Sequence, residues 1–101
     1  MSHTLYRYVF PADLPIAEVE STLVLALVAV ESVHGEAQMH LDAGHYLDCE
    51  SRICVIDASS EVGRDLNRVF VGFLTREFDE GTFEVSRVSD QHLVATVDAK
   101  V

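Results

Sequence analysis

Residues 53–78, ICVIDASSEVGRDLNRVFVGFLTREF, decide the fold of this chain. They begin with Ile53 to Ile56, an apolar and mostly β-branched run that is typical of a short buried strand. From Val62 to Phe78, apolar residues recur at the spacing of an amphipathic helix. Ser59 and Ser60 precede this pattern, and serine hydroxyls commonly cap helix N-termini. The stretch therefore predicts a strand followed directly by a helix.

The N-terminal part of the chain has the same order. Thr4 to Phe10 is rich in aromatic and β-branched residues and ends at Pro11, which cannot donate to a strand ladder, so it predicts a first strand. Apolar residues then recur at helical spacing from Ile16 to His34, with Pro15 suited to the first turn. Gly35 predicts the end of this first helix.

The remaining segments predict further strands. Apolar and polar residues alternate from Ala37 to Cys49, which is the period of a half-buried strand, and this strand would form a hairpin with Ile53 to Ile56. Gly81 ends the second helix, and Phe83 to Val88 predicts a fourth strand. Residues 91–101 alternate again and have two interpretations, a fifth C-terminal strand or a mobile tail.

The order of these elements is βαββαβ. Two βαβ units joined through a hairpin, with right-handed crossovers, give a four-stranded antiparallel sheet with both helices on one face. We therefore expect residues 1–101 to form a single α+β domain of the ferredoxin-like type. Because this fold hosts many unrelated activities, it does not by itself indicate a function.

The charge of the chain excludes several classes of partner. Its 101 residues include 17 acidic and 7 basic side chains, for a net charge of -10, and an acidic surface of this kind is repelled by nucleic acid. The longest apolar run, Leu23 to Val30, is far shorter than a membrane span, which needs about 20 residues. The N-terminus has no targeting pattern, so we expect a cytoplasmic protein. A basic protein remains a candidate partner.

Four side chains of metal-binding type lie close together in the sequence: His40, His45, Cys49 and Cys54. Imidazole and thiolate are ligands for zinc or copper, but this spacing matches no common zinc motif. The alternative is a pair of surface histidines with two free thiols, and we favour it, expecting no metal and no cofactor. His40, His45 and Asp42 are also the best candidates for acid–base catalysis. No catalytic motif links them, so we favour a protein that is not an enzyme.

The loop before the second helix contains the parts of a small anion site. Ser59, Ser60, Gly63 and Arg64 combine two hydroxyls, a glycine, an arginine and the free N–H groups of a helix N-terminus. An ordinary capped helix uses the same parts, and no phosphate-loop motif is present. We therefore favour capping over anion binding.

Apolar surface is the property that points to a function. The first helix is apolar around its circumference from Leu23 to Val30, so in a monomer Leu25 or Val28 would reach water. The first strand also has apolar residues on both faces. We expect a homodimer formed through the sheet face, the first helix or the C-terminal strand. The predicted function is a non-enzymatic interaction or regulatory module. The alternative is a small ligand-binding or cofactor-free enzyme domain with a pocket between sheet and helices.

Overall fold

The computed structural model describes residues 4–79 and 81–89, which form an α+β architecture with a four-stranded antiparallel sheet and three helices. The elements are β1 (Thr4–Val9), α1 (Ile16–His34), α2 (Glu36–Asp42), β2 (His45–Asp48), β3 (Ile53–Asp57), α3 (Glu61–Phe78) and β4 (Glu84–Ser89). Helix α1 has the predicted bounds, with Gly35 directly after it, and α3 begins directly after the predicted serine cap. The predicted end of α3 at Gly81 is wrong, because Asp79 already leaves the helical conformation with a φ of 68° and the helix ends at Phe78. The strand or tail predicted for residues 91–101 lies outside the described residues.

The sheet has the order β2-β3-β1-β4, and every neighbouring pair is antiparallel. The two central strands are therefore β1 and β3, while β2 and β4 form the edges. In the register of the sheet, Tyr8 lies opposite Cys54 on one side and Val85 on the other. The connection through α1 and α2 crosses over β3, and the connection through α3 crosses over β1.

One hydrophobic core joins the sheet to the helices. Tyr8 is fully buried at its centre, with its ring centroid 5.0 Å from that of Phe70 on α3, and its hydroxyl donates to the side chain of Asn67. The other buried members of this cluster are Phe10, Leu14, Val19, Leu23, Ala26, Val30, Met39, Cys54, Ile56, Val62, Leu66 and Leu74. Because all three helices share this cluster with β1 and β3, they cover the same face of the sheet.

The structure differs from the sequence prediction between Ala37 and Cys49. The single strand predicted there is wrong, since Glu36–Asp42 forms α2 and only His45–Asp48 is extended. The alternation of apolar residues predicted a strand, but the alternating residues do not share one buried face, because Met39 is buried whereas Leu41 is 79% exposed. Alanine, glutamine, methionine and leucine are strong helix formers, and this propensity prevails where packing does not select a strand.

Arg52 holds the β2–β3 hairpin against the start of α1. It lies in the turn with a φ of 62°, and its backbone carbonyl accepts a hydrogen bond from the Phe10 N–H at 3.0 Å. Its guanidinium donates to the carbonyl oxygens of Phe10, Pro11 and Leu14. Because this loop has carbonyls without helix or strand partners, the single side chain satisfies several acceptors at once.

The first turn of α3 approaches the end of β3 very closely. A Cβ atom on Gly63 would lie 1.9 Å from the carbonyl oxygen of Asp57, which is far inside van der Waals contact. The Ser60 hydroxyl accepts a hydrogen bond from the Gly63 N–H at 3.0 Å and so caps the helix. Only glycine permits this approach, which sets where α3 begins above the sheet.

We predict opposite effects for two glycine-to-alanine substitutions in α3. Gly63→Ala forces the backbone of α3 away from the Asp57 carbonyl and should lower the free energy of unfolding by about 2 to 3 kcal/mol. Gly72→Ala is the matched control, because a Cβ there meets nothing within 4 Å and alanine favours the helix by up to about 1 kcal/mol. Urea unfolding followed by circular dichroism at one protein concentration measures both. Equal changes in the two variants would show that the approach at Gly63 is not tight.

Candidate interaction surface

The outward side of α1 carries a row of exposed apolar side chains. Val24, Leu25 and Val28 are 52%, 61% and 56% exposed. They lie on the side of the helix opposite the buried residues Val19, Leu23, Ala26 and Val30. The exposure that the sequence predicted for Leu25 and Val28 in a single chain is therefore confirmed. We call Ser21, Val24, Leu25, Val28 and Ser32 together the α1 ridge.

The two serines of the α1 ridge use their hydroxyl hydrogens within the helix. The Ser21 hydroxyl donates to the Ala17 carbonyl at 3.1 Å, and the Ser32 hydroxyl donates to the Val28 carbonyl at 2.9 Å. Such back-bonding to the preceding turn leaves the hydroxyl donor already satisfied. The α1 ridge thus contains no charge, and burying its serines would leave no donor without a partner.

Two depressions mark the groove between α1 and α3. One, of about 270 Å³, is lined by Thr22, Leu25, Phe73, Arg76 and Glu77. The other, of about 190 Å³, is lined by Ala29, Val30, Val33, His34, Asp65, Arg68 and Val69. The start of α1 therefore lies beside the end of α3, and the end of α1 beside the start of α3, so the two helices run antiparallel.

A histidine–carboxylate pair joins α1 to α3 at the second depression. His34 Nε2 lies 2.7 Å from Asp65 Oδ2, and Arg68 Nη1 lies 3.7 Å from Asp65 Oδ1. A carboxylate that bonds one ring nitrogen orients an imidazole, and this pair borders an apolar depression. The pair was not among the residues predicted from the sequence, because its members are 31 positions apart and meet only when the helices pack.

The structure separates most of the metal-type side chains. His40 and His45 are exposed and line the same depression of about 340 Å³ as Glu31. Cys49 is exposed in the hairpin turn, whereas Cys54 is buried in the core. Among the residues that the structure describes, no group of three or more histidine, cysteine, aspartate or glutamate side chains is placed to hold a metal ion. The Asp42 carboxylate accepts a hydrogen bond from Gln38.

The four residues considered as a candidate anion site are engaged in the helix cap and its surroundings. The Ser60 hydroxyl caps α3 and also donates to the Asp42 carbonyl at 3.0 Å. The Ser59 hydroxyl accepts from the Thr4 N–H at 3.1 Å, which ties the start of β1 to this loop. Arg64 Nη1 lies 3.4 Å from the Ser59 carbonyl oxygen. The cap predicted at this serine pair is therefore confirmed at Ser60.

The chain matches no protein-family model, and no curated protein is significantly similar to it. None of the helices in residues 4–79 and 81–89 is long and apolar enough to cross a membrane.

Burial changes the chemistry of two side chains in the core. Burial raises the pKa of the Cys54 thiol to about 12. Burial also raises the pKa of Tyr8, and the neighbouring Cys54 adds to that effect. Because both groups are held in their protonated forms, neither is suited to act as a nucleophile or a base near neutral pH.

We predict that the two cysteines differ sharply in reactivity. In the folded protein a disulfide reagent such as dithionitrobenzoate should modify Cys49 rapidly and leave Cys54 unmodified, because only Cys49 is exposed. In denaturant both thiols should react. Absorbance of the released thiolate measures the number of reacting groups. A Cys49→Ser control should show no rapid reaction, and rapid reaction of that variant would contradict the burial of Cys54.

We also predict a loss of stability at alkaline pH through Cys54. An unfolded thiol ionises near about pH 8.5, whereas the folded thiol keeps its proton to about pH 12, so the unfolded state binds fewer protons as the pH rises. This group should lower the free energy of unfolding by roughly 1 to 2 kcal/mol between about pH 8 and about pH 10. Urea unfolding at the two pH values measures the loss. It should be smaller in Cys54→Ala, and an equal loss would exclude Cys54 as its source.

Proposed function

We propose that this chain is a non-enzymatic interaction module that forms a homodimer through the α1 ridge. The observation that carries the proposal is the distribution of exposed apolar side chains. Of the seven large ones that the described residues expose, four lie on α1, namely Val24, Leu25, Val28 and Val33. Three of these, Val24, Leu25 and Val28, lie together on the α1 ridge, and a cluster of exposed apolar side chains is typical of a protein–protein contact.

Energetics favour a second copy as the occupant of this surface. Moving a valine or leucine side chain from water into an interface contributes roughly 1.5 to 3 kcal/mol when burial is complete. A two-fold interface uses the same patch on both copies, so each ridge residue contributes twice. The ridge contains no charged side chain, so its burial does not require any ion to lose its hydration.

The face of the sheet away from the helices is a weaker candidate for the dimer contact. Tyr8 and Cys54 point into the core, so their neighbours Arg7 and Val55 point to the opposite face. Arg7 thus lies on a central strand in the middle of that face. Burying the charge of Arg7 in an interface would be costly unless an opposite charge paired with it. The neighbouring row of residues across that face also ends in an acidic side chain at each edge of the sheet, Asp48 on β2 and Glu84 on β4.

We further propose that the architecture is a ferredoxin-like fold with one inserted helix. Support comes from the connections: β1 reaches β2 through α1 and α2, and β3 reaches β4 through α3, which makes two βαβ units. The order β2-β3-β1-β4 places the first strand of each unit at the centre of the sheet, and β2 and β3 form a hairpin. In this view α2 is an insertion between α1 and β2.

A cytoplasmic location is part of the proposal. The exposed thiol of Cys49 and the thiol of Cys54 are both free, and free exposed thiols persist in a reducing compartment. A basic protein is the alternative partner, because the chain is strongly acidic. The second candidate function, binding of a small molecule, is favoured by one observation, the His34–Asp65 pair beside an apolar depression.

We predict that polar substitution of the α1 ridge abolishes self-association. The wild-type protein should sediment with a mass about twice 11.2 kDa at micromolar concentration. Leu25→Gln combined with Val28→Gln keeps good helix formers and adds no charge, and it should weaken the dimer by roughly 100-fold or more. Analytical ultracentrifugation measures the dissociation constant, and circular dichroism checks that the variant is folded.

Tyr46→Gln provides the matched control. Tyr46 is 63% exposed on β2 and lies outside the α1 ridge, so this variant should dimerise like the wild type. A dimer that is lost in Tyr46→Gln and kept in the ridge variant would assign the contact to the sheet. A wild-type monomer at these concentrations would overturn the proposal, and binding of a small molecule that His34→Ala abolishes would then favour the second candidate function.

A further inference from the structure

A mostly apolar groove lies at one end of the domain, where the loop between β1 and α1 meets the end of α3. Its volume is about 300 Å³. The residues that line it are Pro11, Asp13, Leu14, Pro15, Phe78 and Thr82. Of these residues, Asp13 alone is charged. The groove shares none of them with the α1 ridge, and we call it the end groove.

Both walls of the end groove are held in place by the rest of the molecule. Leu14 is 6% exposed and belongs to the hydrophobic core, and Phe78 packs against that core. The guanidinium of Arg52 donates to the carbonyl oxygens of Pro11 and Leu14. On the other wall, the Thr82 hydroxyl donates to the Phe78 carbonyl at 2.6 Å. Because the walls are already ordered, a partner that enters the groove does not have to order them.

The end of the domain around this groove is acidic. The register of the sheet brings the β1–α1 loop, the β2–β3 turn and the start of β4 to the same end, because Val9 lies opposite both Ile53 and Glu84. The carboxylates exposed in these segments, or in the turns of α1 and α3 next to them, are Asp13, Glu18, Glu50, Glu77, Asp79 and Glu84.

Two arginines at this end reduce the negative charge only in part. The guanidinium of Arg52 is engaged by loop carbonyls, and Arg76 lines a different depression, between α1 and α3. The ion pairs formed among the described residues use the carboxylates of Glu36 and Asp65, which both lie toward the opposite end of the domain. Within residues 4–79 and 81–89, the exposed carboxylates around the end groove therefore form no ion pair, and they attract positive charge.

We infer that the end groove binds a basic peptide segment of a partner protein, in which one large apolar side chain is flanked by lysine or arginine. The apolar side chain enters between Leu14 and Phe78, and the flanking cations face Asp13 and the neighbouring carboxylates. An anchor that fills a pocket and is surrounded by complementary charge is typical of protein–protein contacts.

Charge and shape together define this partner. A free polyamine has the charge but no apolar group for the groove, whereas an uncharged apolar peptide gains nothing from the carboxylates around it. A second copy of this chain is a poor occupant, because two copies that met at this end would bring their carboxylates together. The inference therefore concerns a different surface and a different partner from the dimer proposed above.

Peptide binding tests the inference. A fluorescein-labelled peptide, KKRFRKK, should bind the wild-type protein at physiological ionic strength, as measured by fluorescence anisotropy. The peptide KKRGRKK should bind roughly tenfold or more weakly, because it keeps every charge but cannot bury an aromatic side chain. Spermidine, which also lacks an anchor, should compete poorly with KKRFRKK.

Asp13→Asn should bind KKRFRKK roughly threefold or more weakly than the wild type, because it removes the charge in the groove lining. The Asp13 side chain does not cap α1, so this variant should fold normally, which circular dichroism checks. Glu36→Gln is the matched control, because it removes the same charge from an exposed carboxylate toward the opposite end of the domain. This control should bind the peptide like the wild type.

The position of the peptide is measured by nuclear magnetic resonance. Adding KKRFRKK should shift the backbone amide signals of Leu14 and Thr82 and leave that of Gly44, at the opposite end of the domain, unchanged. Absence of binding would overturn the inference. Equal affinity for the two peptides, or equal weakening by Asp13→Asn and Glu36→Gln, would assign any binding to net charge alone and would also overturn it. The oligomeric state in ultracentrifugation is a separate measurement, so the dimer and the end groove can fail independently.

Discussion

From Leu23 to Val30, helix α1 is apolar around its whole circumference, but a two-layer structure can bury only one side of it. The side carrying Val19, Leu23 and Ala26 is used by the core, which leaves Val24, Leu25 and Val28 in water. An amphipathic helix of this length would present polar residues there, as α3 does with Arg64 and Arg68. The contrast between the two helices is the basis for assigning the contact surface to α1.

The position of α3 determines the shape of that surface. Gly63 brings the first turn of α3 against the Asp57 carbonyl, and the Tyr8 ring packs against Phe70 in the middle of the helix. At the end of α1, His34 bonds Asp65. The first two contacts fix α3 on the sheet, and the third joins α3 to the end of α1, so together they shape the groove between the two helices.

Local signals allowed much of the fold to be predicted. The bounds of α1 and α3 follow from proline, glycine and serine residues close to their ends, and the hairpin strand around Cys54 follows from an apolar run. The segment around Met39 was not predictable in this way, because its apolar alternation fits a strand and its composition fits a helix. Only the packing of Met39 under α1 decides between them.

The sequence predicted that α1 exposes apolar surface, but it did not predict which side of the helix is exposed. An excess of apolar residues in Leu23 to Val30 indicates exposed surface, because no core of this size covers a helix on every side. Which side is exposed, and which charges border it, depends on contacts between residues far apart in the chain. The pair His34–Asp65 is an example, since nothing near either residue in the sequence indicates the other.

The sequence by itself therefore determined the helices and strands whose ends carry local signals, the acidic character of the chain and the surplus of apolar surface on α1. The tertiary structure alone decided that α2 is a helix, that Cys54 is buried while Cys49 is exposed, and that His34 meets Asp65 beside the groove between α1 and α3. The physical reason is that caps, turns and periodicity act over a few residues, whereas burial and the facing of helices are set by contacts between distant segments.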